Sequence, residues 1–360
     1  MALTTRAPRG GVTYESIDLE EPENFEVKLK PVYTGICGTD RGIVRGSLPF
    51  AYNPEGEDRL VLGHESLCRV LEIADNNLGI KKGDYVVPLV RRPGGCVNCS
   101  IGRPDNCSDG DKHEAGITGL HGFMREHFYD RIENLVKVSD SNISDIAVLT
   151  EPLKNVVKGF EVFDVVSRRA VYAGKDSTLD GKRSVVVGTG TQGYLYAFMS
   201  REYGFDTMAV NRHPIEDSNV EMLNSFGVNF VDYSKNEGEV VKGGIDLLID
   251  TSGDPGTVFR FMKYLNYNAV AILFGTNGKA PEAQVDGSFI DYLVERNITV
   301  AGVVDAAKTH YETAIRYLRK WKYIHGDALS NMITAKFDPA DTGVFTSKPH
   351  GEIKSVIKWS

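Results

Sequence analysis

The chain has 360 residues, of which 41% are hydrophobic and 25% are charged, and its formal net charge is -8. This length and composition are typical of a globular protein with two domains. The negative charge and the lack of a lysine or arginine block argue against a nucleic-acid partner. No apolar run approaches the roughly 20 residues of a membrane helix, and residues 1–12 lack the apolar segment of a signal peptide. We therefore expect a cytoplasmic protein without a membrane partner.

The first 150 residues consist of short strand-like runs between turns. Residues 28–33, 67–73 and 84–90 alternate or run apolar, with glycine and proline between them. Short strands with this punctuation predict a small all-β, barrel-like domain.

From about residue 184 the pattern changes to α/β. Buried-strand runs occupy residues 184–187, 207–210, 244–250 and 269–275, and residues 194–203 favour a helix. Strands that alternate with helices predict a parallel sheet. The tail, residues 353–359, alternates again and is interpreted as a strand that returns to the first domain.

Two short motifs, residues 35–40 (GICGTD) and 63–65 (GHE), carry metal-binding side chains. Cys37 and His64 are candidate zinc ligands, and Glu65 is expected to bind the metal directly or through water. A catalytic zinc needs a third protein ligand and keeps one position open. The best candidate for the third ligand is Glu151, which follows the strand-rich region. An open zinc site suits the ionisation of an alcohol.

Two further side chains in the first motif fit this chemistry. Asp40 is expected to hold His64 through the second ring nitrogen of the imidazole. Thr39 is expected to pass the proton of the alcohol outward.

The five cysteines do not suggest a secreted disulfide framework, because three of them are clustered at positions 96, 99 and 107. Cys96, Cys99 and Cys107 predict a structural zinc site that still needs a fourth ligand. Asp109, Asp111 and His113 are the nearby candidates, of which we favour Asp111. The alternative is a reduced thiol cluster without a metal. Cys68 lies in an apolar run and is expected to be a buried small hydrophobe.

A dinucleotide fingerprint, G-x-G-x-x-G, stands directly after a strand run and at the start of a helix. Its glycines form a tight turn, allow the backbone to approach a pyrophosphate and permit close helix–strand packing. The alternative is a glycine-rich turn in another α/β domain. The candidate cofactor residues here are Gly188, Thr189, Gly190, Thr191, Gln192 and Gly193.

The end of the next strand indicates which cofactor is used. An NAD site usually has Asp or Glu about 20 residues after the glycines, whereas this chain has Asn211, Arg212 and His213. These side chains suit a 2′-phosphate, so we expect NADP to be preferred and NAD to be tolerated. The alternative is that Arg212 is only a solvated surface charge. The remaining candidates for cofactor contact are Thr251, Phe274, Gly275 and Thr276.

Over its whole length the chain resembles the zinc-dependent medium-chain dehydrogenase/reductase superfamily, and within it the archaeal glucose dehydrogenases, above all those of Thermoplasma-type organisms. The superfamily resemblance rests on the motifs above. The narrower one rests on longer segments, which are residues 90–92 (VRR), 112–117 (KHEAGI), 122–126 (GFMRE), 150–153 (TEPL) and 350–354 (HGEIK).

The resemblance implies a fold and a reaction. It implies a GroES-like β-barrel catalytic domain, residues 1–155 and 306–360, with a zinc lobe at about residues 93–113. A Rossmann domain, a doubly wound parallel sheet, would occupy residues 156–305. The implied reaction is zinc-assisted oxidation of β-D-glucose, and of D-galactose, to the aldonolactone with NADP, as in a non-phosphorylated Entner–Doudoroff-type degradation. The family also suggests a homotetramer.

Residue by residue, the resemblance assigns Cys37, His64 and Glu151 to the zinc and Thr39 to the proton relay. It places Glu114, Glu151, Asn155 and Asp305 on the sugar side. Some relatives carry Gln at position 151 and Asn at position 305. The chain also departs from the family's four-cysteine lobe, because Pro93 stands where the first cysteine would be.

Two other functions fit the same residues. One is a polyol or threonine dehydrogenase of the same superfamily. The other is a non-catalytic nucleotide-binding protein, which has no need for an open metal site.

Overall fold

The computed structural model describes residues 1–18, 26–110, 113–169, 179, 181–276 and 282–359. The chain divides into two units: residues 1–154 with 305–360, and residues 155–304. Across these described ranges, no helix combines the length and the apolar character needed to cross a membrane.

The strands of the described residues are, in chain order, β1 (Ala2–Thr5), β2 (Thr13–Glu15), β3 (Glu26–Ile36), β4 (Leu60–Val61), β5 (Glu65–Glu72), β6 (Tyr85–Pro88), β7 (Arg91–Arg92), β8 (His113–Ala115), β9 (Gly119–Leu120), β10 (Phe128–Arg131), β11 (Leu135–Val138), β12 (Arg183–Val187), β13 (Asp206–Asn211), β14 (Asn229–Asp232), β15 (Ile245–Asp250), β16 (Leu265–Leu273), β17 (Thr299–Gly302), β18 (Ile333–Phe337) and β19 (Lys354–Lys358).

The α-helices of the described residues are α1 (Gly38–Arg45), α2 (Val97–Ser100), α3 (Thr150–Ser167), α4 (Thr191–Glu202), α5 (Asp217–Ser225), α6 (Tyr233–Val241), α7 (Pro255–Met262), α8 (Gly287–Glu295), α9 (Lys308–His325) and α10 (Asp327–Ser330). Short 3-10 helices lie at Pro104–Asn106, Ile132–Asn134, Ser141–Ile143, Ala147–Leu149 and Thr342–Phe345.

The first unit is built on a seven-stranded sheet in the order β11-β6-β5-β3-β19-β18, with β10 also paired to β3. The long strand β3 pairs antiparallel with β5, β10 and β19. Its buried side chains join one apolar core that includes Cys68, as expected for a small hydrophobe. Two smaller sheets, β2-β1-β4 and β7-β8-β9, complete the unit.

The C-terminal segment returns to the first unit, which confirms the prediction from its alternating pattern. Strand β19 lies antiparallel to β3, with Ser355 opposite Ile36 and Lys358 opposite Tyr33. Trp359 donates a hydrogen bond from Nε1 to Thr34 Oγ1 at 2.9 Å. Two distant parts of the sequence therefore form neighbouring strands.

The second unit is an all-parallel sheet of six strands in the order β14-β13-β12-β15-β16-β17. Its central strands are rich in apolar residues because both faces of the sheet are covered, and every residue of β15 is buried. The strand order reverses between β12 and β15, which is the switch point where Rossmann sheets bind dinucleotides.

Candidate active site and metal centres

Asp40 ties the two metal-binding motifs together. Cys37 precedes α1, and its backbone N–H donates to Asp40 Oδ2 at 2.8 Å. The N–H of Gly63 donates to Asp40 Oδ1 at 3.1 Å. The carboxylate of Asp40 is fully buried, and its Oδ1 lies 3.7 Å from His64 Nδ1, a charge contact longer than a hydrogen bond. Asp40 therefore orients both Cys37 and the segment that carries His64.

Cys37, His64 and Glu65 form a group whose ligand atoms all lie within 4.8 Å of one another. Burial disfavours the imidazolium of His64, but Asp40, Cys37 and Glu151 outweigh that effect and raise its pKa well above 6.5. These groups therefore favour a positive charge at the position of the imidazole. A thiolate, an imidazole and carboxylates are ligands that zinc prefers, so these residues fit the predicted metal.

Glu151 and Thr39 lie close to this group. Glu151 is buried in the first turn of α3 and acts on His64 electrostatically, although it stands outside the group of three ligands. The Oγ1 of Thr39 lies 3.8 Å from Cys37 Sγ. Asn155, one turn after Glu151 on the same helix, is also buried.

Lys354 engages the third member of the group and is a residue that sequence reasoning missed. Its Nζ donates to both carboxylate oxygens of Glu65, at 2.8 and 2.6 Å. Burial opposes the charge on Lys354, but Glu65 raises its pKa above 10.5. A Cβ at Gly35 would lie 2.0 Å from Glu65 Oε2, so this glycine makes room for the pair.

A second buried pair attaches the same C-terminal segment to α1. Arg41 donates through both Nη atoms to Glu352, each at 2.9 Å, and through Nε to the carbonyl of Val344 at 3.2 Å. The HGEIK motif thus supplies Glu352 and Lys354 as counter-charges. The available signal was a lysine, Lys354, at the start of a buried strand run.

Glu114, Glu151 and Asp305 are brought together by two cations, Arg91 and Lys154, to which sequence reasoning gave no role. Lys154 Nζ lies 3.2 Å from Glu151 Oε1 and 3.3 Å from Asp305 Oδ1. Arg91 Nε lies 2.5 Å from Asp305 Oδ2, and its Nη2 lies 2.9 Å from Glu114 Oε1. We call this row of five side chains the charge ladder.

The thiols of Cys96, Cys99 and Cys107 meet in the lobe. Cys96 Sγ lies 3.6 Å from Cys99 Sγ and 3.9 Å from Cys107 Sγ. A backbone hydrogen bond from Ser108 is the main cause that lowers the pKa of Cys96 to about 6, which favours the thiolate that metals bind. Asp111, the favoured fourth ligand, lies outside the described residues.

The predicted cofactor residues converge at the carboxyl edge of the parallel sheet. Val187 is opposite Val210 and Asp250, and Asp250 is opposite Leu273. The segments that follow these strands therefore start side by side. They contain the glycine fingerprint and the other predicted cofactor residues, which are Asn211, Arg212, His213, Thr251, Phe274, Gly275 and Thr276.

Each glycine of the fingerprint is required for a different structural reason. Gly188 has φ of 101°, and a Cβ at Gly193 would lie 2.0 Å from the carbonyl oxygen of Gly188. Apart from its chain neighbours, a Cβ at Gly190, the N-cap of α4, would meet no atom of the described residues within 4 Å. The space beside Gly190 suits a pyrophosphate, which binds at helix N-termini. The residues present therefore fit a dinucleotide.

Asn211 ends β13 and is half-buried, and Arg212 and His213 are exposed beyond it. Asp232 is the residue opposite Asn211 on β14, but its Oδ1 caps α6 through the N–H of Ser234 at 3.0 Å. The strand end therefore presents an amide, a guanidinium group and an imidazole.

The fold and these sites define a zinc-dependent medium-chain dehydrogenase. A model of the alcohol dehydrogenase GroES-like domain matches residues 23–140, and a model of the glucose dehydrogenase C-terminus matches residues 144–359. The chain belongs to the glucose dehydrogenase family, which confirms the resemblance found in the sequence.

Similar proteins cover the whole chain. A glucose 1-dehydrogenase from Thermoplasma acidophilum is 59% identical and covers 99% of this chain and 98% of its own. One from Metallosphaera sedula is 37% identical, with coverage of 100% and 98%. The structure of Haloferax mediterranei glucose dehydrogenase in complex with NADP, zinc and gluconolactone has a TM-score of 0.84 at 25% identity, with coverage of 100% and 99%.

Proposed function

We propose that this protein is a glucose 1-dehydrogenase that oxidises β-D-glucose, and D-galactose, at C1 to the aldonolactone with NADP. The proposal rests on the proximity of Cys37 and His64 to the buried carboxylate of Glu65, with the buried Glu151 nearby. The 59% identity to the Thermoplasma enzyme and the gluconolactone complex of the Haloferax enzyme support the substrate.

Cys37, His64 and Glu151 would hold a catalytic zinc, with Glu65 beside it. Bound zinc supplies a Lewis acid that lowers the pKa of a hydroxyl group. Lys354 donates to both oxygens of Glu65, whereas the ion pair of Lys154 with Glu151 is made through Oε1, so Glu151 is the carboxylate better suited to complete the ligand set. Cys96, Cys99 and Cys107 would hold a structural zinc, with Asp111 as the proposed fourth ligand.

The sugar would be bound by Glu114, Glu151 and Asn155, and Thr39 would pass the C1 hydroxyl proton outward. A sugar satisfies such polar groups, whereas a simple aliphatic alcohol would leave them unpaired at a high cost. Bound NADP would supply the acceptor for the hydride from C1 of the sugar. Asn211, Arg212 and His213 would bind the 2′-phosphate, which favours NADP over NAD.

Two variants test the catalytic assignment. Cys37→Ala and His64→Ala are each expected to abolish glucose oxidation, whereas NADP binding, followed by fluorescence titration, stays within about twofold, because both residues serve the metal. Wild-type rates in either variant would refute it. The wild-type enzyme should also be assayed with glucose, sorbitol and threonine as substrates, because only an aldose yields a lactone.

The proposal also covers the oligomeric state and the cellular location of the protein. We expect a cytoplasmic homotetramer that associates through the edge of the parallel sheet. The edge strand β17 and the preceding helix α8 carry exposed apolar side chains, which are Ile290, Val294 and Val300. Val300→Lys should lower the mass measured by light scattering, because a charge at such an edge opposes pairing. An unchanged tetramer would contradict this interface.

A further inference from the structure

The charge ladder alternates in sign: Glu151, Lys154, Asp305, Arg91, Glu114. All five side chains are at most 15% exposed. Three carboxylates so close together are costly to bury unless cations separate them. Lys154 and Arg91 are the cations in this position, and neither has a place in the reaction described above.

Asp305 is the middle of the ladder, and each of its carboxylate oxygens lies beside a cation. Its Oδ1 accepts from Lys154 and from the N–H of Ala306 at 2.8 Å. Its Oδ2 lies 2.5 Å from Arg91 Nε as a charge contact, without a hydrogen bond from the described residues. Its φ is 65°, in the left-handed region that few residues other than glycine adopt. A conformation of this kind persists where the surroundings hold it in place. Asp305 is thus a fixed bridge between the two cations.

At each end of the ladder a cation contacts a glutamate. Lys154 Nζ lies 3.2 Å from Oε1 of Glu151, and Arg91 Nη2 donates to Oε1 of Glu114 at 2.9 Å. Thr118 Oγ1 lies 3.5 Å from Oε2 of Glu114. Each glutamate is thereby held by the cation beside it.

Lys154 is itself held on a third side. Its Nζ lies 5.6 Å from the centre of the Tyr311 ring, and Tyr311 Oη accepts the N–H of Val90 at 3.2 Å. Val90 directly precedes Arg91, so the same contact fixes the start of the strand that carries the second cation. The spacing between the two ends is therefore determined by buried contacts.

We propose that Lys154 is a positioning residue for the sugar: through Asp305 and Arg91 it sets the spacing between Glu151 and Glu114, and this spacing determines which sugar hydroxyls are recognised. The inference rests on the proposed function and deepens it. A sugar whose hydroxyls match the spacing gains both contacts, whereas an analogue that lacks one of them gains only one.

The test compares kcat/KM for D-glucose with that for single-deoxy glucoses and D-xylose. Lys154→Met is expected to lower kcat/KM for glucose about 100-fold and kcat/KM for the analogues much less. The ratio of kcat/KM between glucose and each analogue should therefore fall. KM for NADP is expected to stay within about twofold, because the ladder does not serve the cofactor. Lys154→Arg, which keeps the charge, should restore most of the discrimination.

The double variant Lys154→Met/Asp305→Asn tests the counter-charge directly. Because it removes one charge of each sign, it should recover at least about tenfold over Lys154→Met alone. Lys158→Met is the matched control, since Lys158 is a buried lysine one turn along α3 that pairs with Glu161 at 3.3 Å. It should leave the pattern across the sugars unchanged.

The possible results separate the two proposals. A wild-type protein that does not oxidise glucose would overturn the proposed function and this inference with it. If the wild type is active, two results would overturn this inference alone. One is that Lys154→Met lowers kcat/KM for every sugar by the same factor, and the other is that the double variant recovers no activity over Lys154→Met. If Lys154→Met does not fold, Asp305→Asn takes its place. The ratio of kcat/KM for glucose to that for the analogues should then fall about tenfold.

Discussion

Lys354 donates to both carboxylate oxygens of Glu65, and both side chains are buried. Glu65 neighbours the proposed zinc ligand His64 in the sequence, whereas Lys354 comes from β19. Strand β19 therefore supplies the counter-charge for a carboxylate of the candidate metal site.

Lys354→Met should destabilise the first unit by about 3–5 kcal/mol, because it leaves a buried carboxylate without its counter-charge. Both tryptophans, Trp321 and Trp359, lie in this unit, so tryptophan fluorescence in urea reports its unfolding. The matched control is Lys28→Met, which removes the partner of the 66% exposed Glu72 and should change the free energy of unfolding much less.

The effect of Lys354→Met should be independent of pH in the neutral range. The folded-state pKa of Lys354 is raised, so its contribution is complete below the unfolded value of about 10.4 and is lost only as pH rises through the folded value. A difference between wild type and variant that shrinks from pH 6 to pH 9 would contradict the pairing.

The sequence predicted the parts of this protein that depend on local pattern. The buried strand runs, the glycine fingerprint and the motifs around Cys37 and His64 each lie within a few adjacent residues. The structure adds that Val187, Val210 and Asp250 stand in register, which places the cofactor segments side by side.

The charged partners of the site were not predicted, because each pair joins distant positions. Lys354 with Glu65 joins β19 to β5, and Arg91 with Asp305 joins β7 to the segment before α9, so both pairs depend on the tertiary fold. The VRR and HGEIK segments supported the family resemblance, yet nothing local indicated which side chains they would neutralise.

Gly190→Ala and Gly193→Ala should fail in different ways. The Cβ at position 190 meets no protein atom, so stability should be nearly unchanged while KM for NADP rises about tenfold or more, because the methyl group takes the space of the pyrophosphate. The Cβ at position 193 meets the Gly188 carbonyl at 2.0 Å, so Tm should fall. Equal losses of Tm in both variants would contradict the cofactor cradle.

Arg212→Ala should separate the two cofactors. Loss of a charge-assisted contact to the 2′-phosphate is worth about 1.5–3 kcal/mol, so kcat/KM for NADP should fall about tenfold to 100-fold. The value for NAD should change less than about twofold, since NAD lacks that phosphate. Arg319→Ala, at another exposed arginine, is the control. Parallel losses with NADP and NAD would count against the assignment.

Removal of zinc should expose four of the five cysteines to alkylation. In the presence of zinc, Cys37, Cys96, Cys99 and Cys107 should resist iodoacetamide as metal ligands, and a chelator should make them reactive. Cys68 is fully buried, and burial raises its pKa to about 12, so it should stay unlabelled until the protein unfolds. Mass spectrometry of the labelled peptides distinguishes the sites. Rapid labelling of the three lobe cysteines at saturating zinc, with Cys37 still protected, would show that only the catalytic site binds the metal, and the lobe would then be a reduced thiol cluster.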